Sequence, residues 1–492
     1  MVSGSESPLS VVVIGASGDL ARKKIFPALF ALYCQDQLPD SFRIFGFSRT
    51  QYTDEAFREV LGKHLTCRYA PGESCKVLMQ SFLERCYYVP GQYGERDAYV
   101  ELYARMHEVE EDRDVNRLYY LSIPPSIFLD VAQALGGAGL VQCGITSPWS
   151  RVVIEKPFGS DRASSDELVR GMAHVFREAQ TFRIDHYLGK EVLQNLMVLR
   201  FANLVFEPLW NKKYIESVQI SWKENLSVAG RAGYFNDYGI IRDVMQNHLL
   251  EILALTAMEP CAKLDAGHIC NEKIRVLRSI RPLTLEKMSL GQYTGAQVGD
   301  AEIPGYLEEE NVPADSRTPT YAAAVLEVDN DRWRGVPFMI VAGKGLDSRK
   351  TEIRIRFRPV AESMFSGLME GSGPNELVIR VQPDEGIHLR VLAKVPGNPM
   401  RLKQTELDLQ YHRVFDELIP DAYESLILDA LRGDKSLFIR KDELAAAWDI
   451  FTPVLHAWDA SEEKPEAYAF GSVCTAGARK LAEDHGVAPD EL

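Results

Sequence analysis

Histidine is the side chain best suited to take and return a proton near neutral pH, and His248 closes the run Ile240-Ile241-Arg242-Asp243-Val244-Met245-Gln246-Asn247-His248. The spacing predicts a helix with Val244 and Met245 about one turn before His248, a neighbourhood that also suits a histidine satisfied inside a core. A second concentration of polar chemistry lies in Arg183-Ile184-Asp185-His186-Tyr187-Leu188-Gly189-Lys190-Glu191, where His186, Tyr187 and Lys190 supply two donors and one fixed charge. The formal net charge of −15 means that an anionic ligand must meet such a local cationic cluster against an unfavourable overall field. The same charge argues against nucleic acid or an anionic membrane as partner, because both would be repelled.

A third group is the turn Gly15-Ala16-Ser17-Gly18-Asp19-Leu20-Ala21. It falls between a β-branched run at 10–14 and a stretch at 21–33 with helical apolar spacing, where backbone N–H groups and the helix dipole can receive a pyrophosphate. Its G-x-x-G-x-x-A spacing departs from G-x-G-x-x-G, so an ordinary strand-to-helix turn is the competing reading. The second strand ends in Ser48-Arg49-Thr50. A basic residue there, Arg49, helped by Arg22, Lys23 or Lys24, suits a ribose 2′-phosphate and favours NADP over NAD.

Short apolar runs at 42–47, 118–122 and 152–154, separated by helical stretches, extend the first strand into a parallel sheet with right-handed crossovers. After about residue 185 the texture changes to alternating segments at 217–223, 323–328, 352–357, 376–381 and 388–393, broken by Gly, Pro, Asp and Asn. The expected fold is therefore an α/β Rossmann-type doubly wound domain over 1–185. It is followed by a larger α+β domain over 186–492 with a large, mainly antiparallel sheet. Helices at 240–258 and 422–431 are expected to cover one face of that sheet.

At 492 residues, 46% hydrophobic and 25% charged, the chain has ample material for a globular core. No apolar run approaches a membrane span, and residues 1–10 lack the apolar core of a signal peptide. The eight cysteines, Cys34, Cys67, Cys75, Cys86, Cys143, Cys261, Cys270 and Cys474, show neither a Cys-x-x-Cys pair nor zinc-like histidine spacing. No metal is expected, and the cysteines read as reduced thiols in a cytoplasmic protein.

Taken in order, Gly15 to Leu20, Glu155-Lys156-Pro157-Phe158-Gly159, the segment 183–191 and the segment 240–248 resemble the glucose-6-phosphate dehydrogenase family. The likeness runs from about residue 10 to about residue 470. It implies oxidation of glucose 6-phosphate to 6-phosphoglucono-1,5-lactone with NADP, the entry step of the oxidative pentose phosphate pathway, by a homodimer or homotetramer. His248 would be the general base and Asp185 the carboxylate that orients it. His186, Tyr187 and Lys190 would hold the substrate phosphate, Asp243 and Glu224 the sugar hydroxyls, and Lys344 a further part of the substrate. Lys156 would contact the sugar beside a hinge proline, with a cis bond to Pro157. Gly15, Ser17, Gly18, Asp19, Leu20, Lys24, Arg49 and Lys156 would hold NADP.

On an ideal α-helix Asp243 is about 140° round from His248, too far to orient the same ring. Lys350, Arg354 and Arg380 match the basic residues of a second, structural NADP site in many eukaryotic members. The aromatic tail that clamps that nucleotide is missing, since nothing aromatic follows Phe470. Two other readings use the same residues: a related sugar dehydrogenase acting on free glucose or several hexose 6-phosphates, and a silent NADP sensor.

Overall fold

A computed structural model describes residues 7–69, 72–110, 114–142, 144, 148–369 and 373–489, and divides into two compact units. The first comprises residues 1–189, 265–270 and 420–444, and the second comprises 190–264, 271–419 and 445–492.

The first unit is built on six parallel strands, β1 (Leu9–Ile14), β2 (Phe42–Ser48), β3 (Cys86–Pro90), β4 (Asn116–Leu121), β5 (Ser150–Ile154) and β6 (Thr181–Arg183). Their order is β3-β2-β1-β4-β5-β6. All residues of β1 and β4 are buried, which is why these strands read as unbroken apolar runs rather than alternations. The order reverses between β1 and β4, so a crevice opens beyond their carboxyl ends, the place where open α/β sheets bind ligands.

The second unit carries β7 (Ile215–Lys223), β8 (Met288–Thr294), a small hairpin of β9 (Ala296–Val298) and β10 (Ala301–Ile303), then β11 (Tyr321–Glu327), β12 (Pro337–Gly343), β13 (Lys350–Phe357), β14 (Glu376–Gln382), β15 (Gly386–Lys394), β16 (Leu402–Gln410) and β17 (Glu466–Ala469). Nine of them form one sheet ordered β16-β15-β14-β13-β7-β12-β11-β8-β17. It is antiparallel except at β7/β12 and β8/β17. The helical stretch of Ile241–Leu249 and Leu250–Ala257 is almost wholly buried, its first part against β7 and β12, as expected.

Two expectations are corrected. The helix Ala422–Arg432 does not cover the large sheet: it belongs to the first unit and packs on the helix Phe26–Cys34. Its apolar face was legible, but not which surface would receive it after so long a return of the chain. The cysteines are not all reduced, because Cys67 and Cys75 form a disulfide with Cα atoms 5.7 Å apart. Cys75 lies in the helix Glu73–Glu84 and the preceding loop brings Cys67 back against it. Cys34, Cys86, Cys261, Cys270 and Cys474 take no part in a disulfide, and Cys143 lies outside the described residues. Among the described residues no helix is long and apolar enough to cross a membrane.

Candidate active site

In the first unit, β1 ends at Gly15, whose N–H bonds the Phe47 carbonyl at 2.8 Å. Gly15 has φ 88°, and a Cβ there would lie 2.1 Å from the Ser122 carbonyl oxygen just past β4. Only glycine lets the turn press this closely on the neighbouring strand end. The Gly18 N–H closes the turn on the Gly15 carbonyl at 2.9 Å, and Leu20 leads into a π-turn, Ala21–Ile25, that continues as the helix Phe26–Cys34. The Ser17 hydroxyl accepts hydrogen bonds from Ser48 and Thr50, each at 2.9 Å. These bonds fix the turn to the end of β2 and so to Arg49.

The cations around this turn have distinct partners. Arg22 and Lys23 pair with Asp19 at 2.7 and 2.9 Å, and the Lys23 and Arg22 hydrogen bonds hold the Asp19 carboxyl below its ordinary range. Lys24 reaches Asp421 at 2.9 Å. Arg49 is exposed, with its guanidinium 5.3 Å from the centre of the Tyr93 ring. The tight glycine turn at the carboxyl end of β1, with an exposed guanidinium at the end of β2, fits a dinucleotide bearing a 2′-phosphate.

The Lys156–Pro157 bond is cis, as the resemblance implies. Beside it, Glu155 accepts a 2.5 Å hydrogen bond from Tyr120. Burial pushes its carboxyl up to about 7, against the pull of Tyr120 and Lys156. Asp185 is 1% exposed and accepts the Tyr187 N–H at 2.9 Å. That turn sets the His186 and Tyr187 rings against each other, 4.9 Å between centres. Tyr120 and Glu155 were not singled out from the sequence. Glu155 lay inside the quoted motif, but its phenolic partner comes from a residue 35 positions before it.

In the second unit, Lys190 stands at the N-cap of the helix Glu191–Phe201. Glu224 and Lys344 directly follow β7 and β12, which run parallel with Lys223 opposite Gly343. The two side chains therefore leave neighbouring strand ends together, and Lys344 pairs with Glu224 at 2.7 Å. The lysine ammonium lies 5.1 Å from the Trp222 ring and 5.6 Å from Phe235, an aromatic setting that favours a cation.

His248 is 3% exposed and lies in a nine-residue π-helix, Ile241–Leu249, which starts just past a break at Gly239 with φ 66°. This corrects the angular argument made for an α-helix. In a π-helix the turn closes between residues five apart, so Asp243 and His248 project on the same side. The wide winding is held by Asn247, whose amide donates to the Arg242 carbonyl at 2.9 Å and whose side-chain oxygen accepts the His248 N–H at 2.7 Å. Asn247 was not singled out from the sequence; its position next to His248 was the only signal.

Lys350, Arg354 and Arg380 converge on one carboxylate, Glu352, at 3.1, 3.0 and 3.0 Å. Their charges are engaged inside the sheet.

Two family models match the chain end to end: the NAD binding domain of glucose-6-phosphate dehydrogenase over residues 12–195, and its C-terminal domain over 197–488. The chain belongs to the glucose-6-phosphate dehydrogenase family. Curated relatives include the chloroplastic glucose-6-phosphate 1-dehydrogenase of Solanum tuberosum, 50% identical over 99% of this chain and 84% of the relative. The enzyme of Dictyostelium discoideum is 48% identical over 98% of this chain and 95% of its own length. A solved glucose-6-phosphate dehydrogenase in complex with its substrate glucose-6-phosphate superposes with a TM-score of 0.90 at 41% identity, covering 99% of both chains. The glucose-6-phosphate 1-dehydrogenase from Mycobacterium avium gives 0.80 at 31% identity over 97% of this chain and 98% of that one. This family member is accordingly an NADP-dependent oxidoreductase that converts glucose 6-phosphate to 6-phosphoglucono-1,5-lactone.

The cytoplasmic location expected from the sequence is corrected. The relatives from Solanum tuberosum, Spinacia oleracea, Arabidopsis thaliana and Nicotiana tabacum are named as chloroplastic proteins, which runs against that expectation.

Proposed function

We propose that His248 removes the proton of the C1 hydroxyl while the hydride leaves the same carbon, and that Asp185 orients the imidazole and steadies its charged form. The observation that carries this reading is His248 itself, buried within the π-helix Ile241–Leu249 and held there by the bond from its N–H to the Asn247 side chain. Imidazole is the side chain whose ordinary pKa lets it take up and return a proton near neutral pH. Asp243 and Glu224 hold sugar hydroxyls, with Glu224 kept in place by Lys344. Lys344 and Lys156 reach the substrate, and His186, Tyr187 and Lys190 bind its phosphate by charge-assisted hydrogen bonds.

When bound, NADP supplies the carbon that accepts the hydride. Residues Gly15, Ser17, Gly18, Asp19 and Leu20 receive its pyrophosphate, Arg49 its 2′-phosphate, and Lys24 and Lys156 complete the cofactor contacts. The cofactor is handled mainly by residues 1–185, and the sugar and oligomerisation by 186–492. The working form is a homodimer or homotetramer.

The test is absorbance at 340 nm with the purified protein, both nicotinamide cofactors, and glucose with and without its phosphate. NADP and glucose 6-phosphate should give the highest kcat/KM. Equal kcat/KM for the two sugars would refute the phosphate-binding roles, and no signal from folded protein would favour the silent sensor.

A further inference from the structure

The helical stretch that carries His248 passes directly from Ile241–Leu249 into Leu250–Ala257 and ends inside the second unit, with Leu255, Thr256, Ala257 and Met258 all buried. A helix leaves its last four carbonyls without an intrahelical partner, and burial keeps these four from solvent, so each needs a donor. The Met258 N–H closes the last turn on the Ala254 carbonyl at 2.9 Å. Each of the four carbonyls beyond it is met by a side chain. Arg200 donates to Leu255 at 3.0 Å and to Met258 at 2.8 Å, Trp210 to Thr256 at 2.7 Å, and Trp333 to Ala257 at 2.8 Å.

The three donors are fully buried and come from separate elements: Arg200 from the last turn of the helix Glu191–Phe201, Trp210 from the turn before β7, and Trp333 from the turn before β12. Arg200 brings a fixed charge to the negative end of the helix dipole, and its planar fork spans two carbonyls at once. Arg332 ties this frame together. It donates to the Trp210 carbonyl at 2.7 Å and to Glu259, just beyond the helix, at 2.9 Å. His248 stands seven residues before Leu255, about 10 Å up the axis and on nearly the same face.

We propose that Arg200, Trp210 and Trp333 are positioning residues for proton transfer: together they form an end-stop that fixes how far along its axis, and at what rotation, this helix presents His248 to the C1 hydroxyl. This rests on the reading of His248 as the base. The walls of the helix are apolar, with Leu250, Ile252, Leu253 and Leu255 all buried, and apolar contact is non-directional. Hydrogen bonds are directional, so four of them at one end set the register that the walls leave open. A base must stand within hydrogen-bond reach of the proton it takes, and a slip at the stop is carried along the helix to the imidazole. Phenylalanine at 210 or 333 keeps an aromatic ring and removes the donor.

The test measures kcat and KM with glucose 6-phosphate and NADP in the full-length enzyme and in Trp210→Phe, Trp333→Phe, Arg200→Met, His248→Asn and the Trp210→Phe/His248→Asn double variant. Leu481→Ala, a buried position on the helix Ala476–Asp484 that packs on β8 and β11, controls for lost stability. In each tryptophan variant kcat should fall roughly tenfold, and further in Arg200→Met, which loses two bonds. KM for NADP should change by no more than about twofold. Leu481→Ala should lower the urea midpoint, followed by circular dichroism, at least as far as the tryptophan variants, yet keep kcat within about twofold of wild type. In the His248→Asn background, Trp210→Phe should add less than about a further twofold.

Losses that multiply in the double variant would mean a general structural role and would overturn the inference, as would a kcat in Leu481→Ala that falls as far as in the tryptophan variants. If His248→Asn keeps near-normal turnover, the assignment of the base fails and the inference falls with it. If His248→Asn loses turnover but both tryptophan variants keep kcat within about twofold of wild type, only the inference is refuted. Trp333→Phe, alone and with His248→Asn, supplies the same readout from a separate element should Trp210→Phe or Arg200→Met fail to fold.

Discussion

Replacing Glu352 by glutamine should destabilise the second unit by about 3 kcal/mol at neutral pH. The carboxylate is 2% exposed in the middle of the nine-stranded sheet. Burial raises its pKa, but Lys350, Arg354 and Arg380 outweigh burial and bring it from an ordinary 4.5 down to about 2. At about 1.4 kcal/mol per pH unit, that depression corresponds to about 3 kcal/mol. The folded pKa lies below the unfolded one, so the contribution is fully present above about 4.5 and is lost as pH falls toward about 2. One unit below 4.5 the gap between wild type and Glu352→Gln should already have narrowed by about 1.4 kcal/mol.

Urea unfolding followed by tryptophan fluorescence reads the right unit. Trp210, Trp222, Trp333, Trp448 and Trp458 all lie in the second unit, and Trp149 alone lies in the first. A variant within about 1 kcal/mol of wild type at neutral pH, or a gap that does not narrow on acidification, would refute the reasoning. The first result would mean that the three cations are satisfied without Glu352, the second that its charge is not what they hold.

The other predictions concern the site. His248→Asn should lower kcat by roughly 10²–10⁴-fold, the contribution of a positioned base, with KM for glucose 6-phosphate little changed; near-normal turnover would move the base elsewhere. Arg49→Ala should raise KM for NADP much more than for NAD, and equal changes would remove its contact with the 2′-phosphate. Asn247→Leu breaks the two hydrogen bonds that brace the wide winding at the base. It should cost about 1–3 kcal/mol in denaturant unfolding, with a fall in kcat at least tenfold larger than in the alanine variant of exposed Asn203. An active Asn247→Leu enzyme would show that the brace is dispensable.

The parts of the fold that were readable in advance are those whose burial follows chain order. β1, β2, β4 and β5 are apolar because both faces of a parallel sheet are covered, and β7, β11, β13, β14 and β15 carry strong alternation or β-branched residues. β16 does not stand out because its Leu402–Gln410 stretch is mostly exposed and polar, and β12 because its short apolar run, Pro337–Gly343, shows no alternation. The helix Ala422–Arg432 was recognised as a helix, but its docking surface is decided by a return of the chain over hundreds of residues.

The turn after β1 and the segments around Lys156, Asp185 and His248 stood out because chemistry demanded unusual residues there. The cluster around Glu155 did not, because tyrosines in strands and helices ordinarily mean only packing. The winding at His248 escaped because no local pattern separates a five-residue from a four-residue hydrogen-bond step. The Cys67–Cys75 bond escaped because eight residues of separation become 5.7 Å between Cα atoms only after the loop folds onto its helix.

The winding between Asp243 and His248 turns a count of residues into a condition for packing. Deleting one position from 244–247 would leave an ordinary helix in which the acid and the imidazole stand four apart and still share a side, but the buried stretch Leu250–Ala257 would be turned by about 100° against everything that precedes the cut. Such a shortened chain would keep the pair and lose the fit behind it, so the damage should show first in resistance to denaturant.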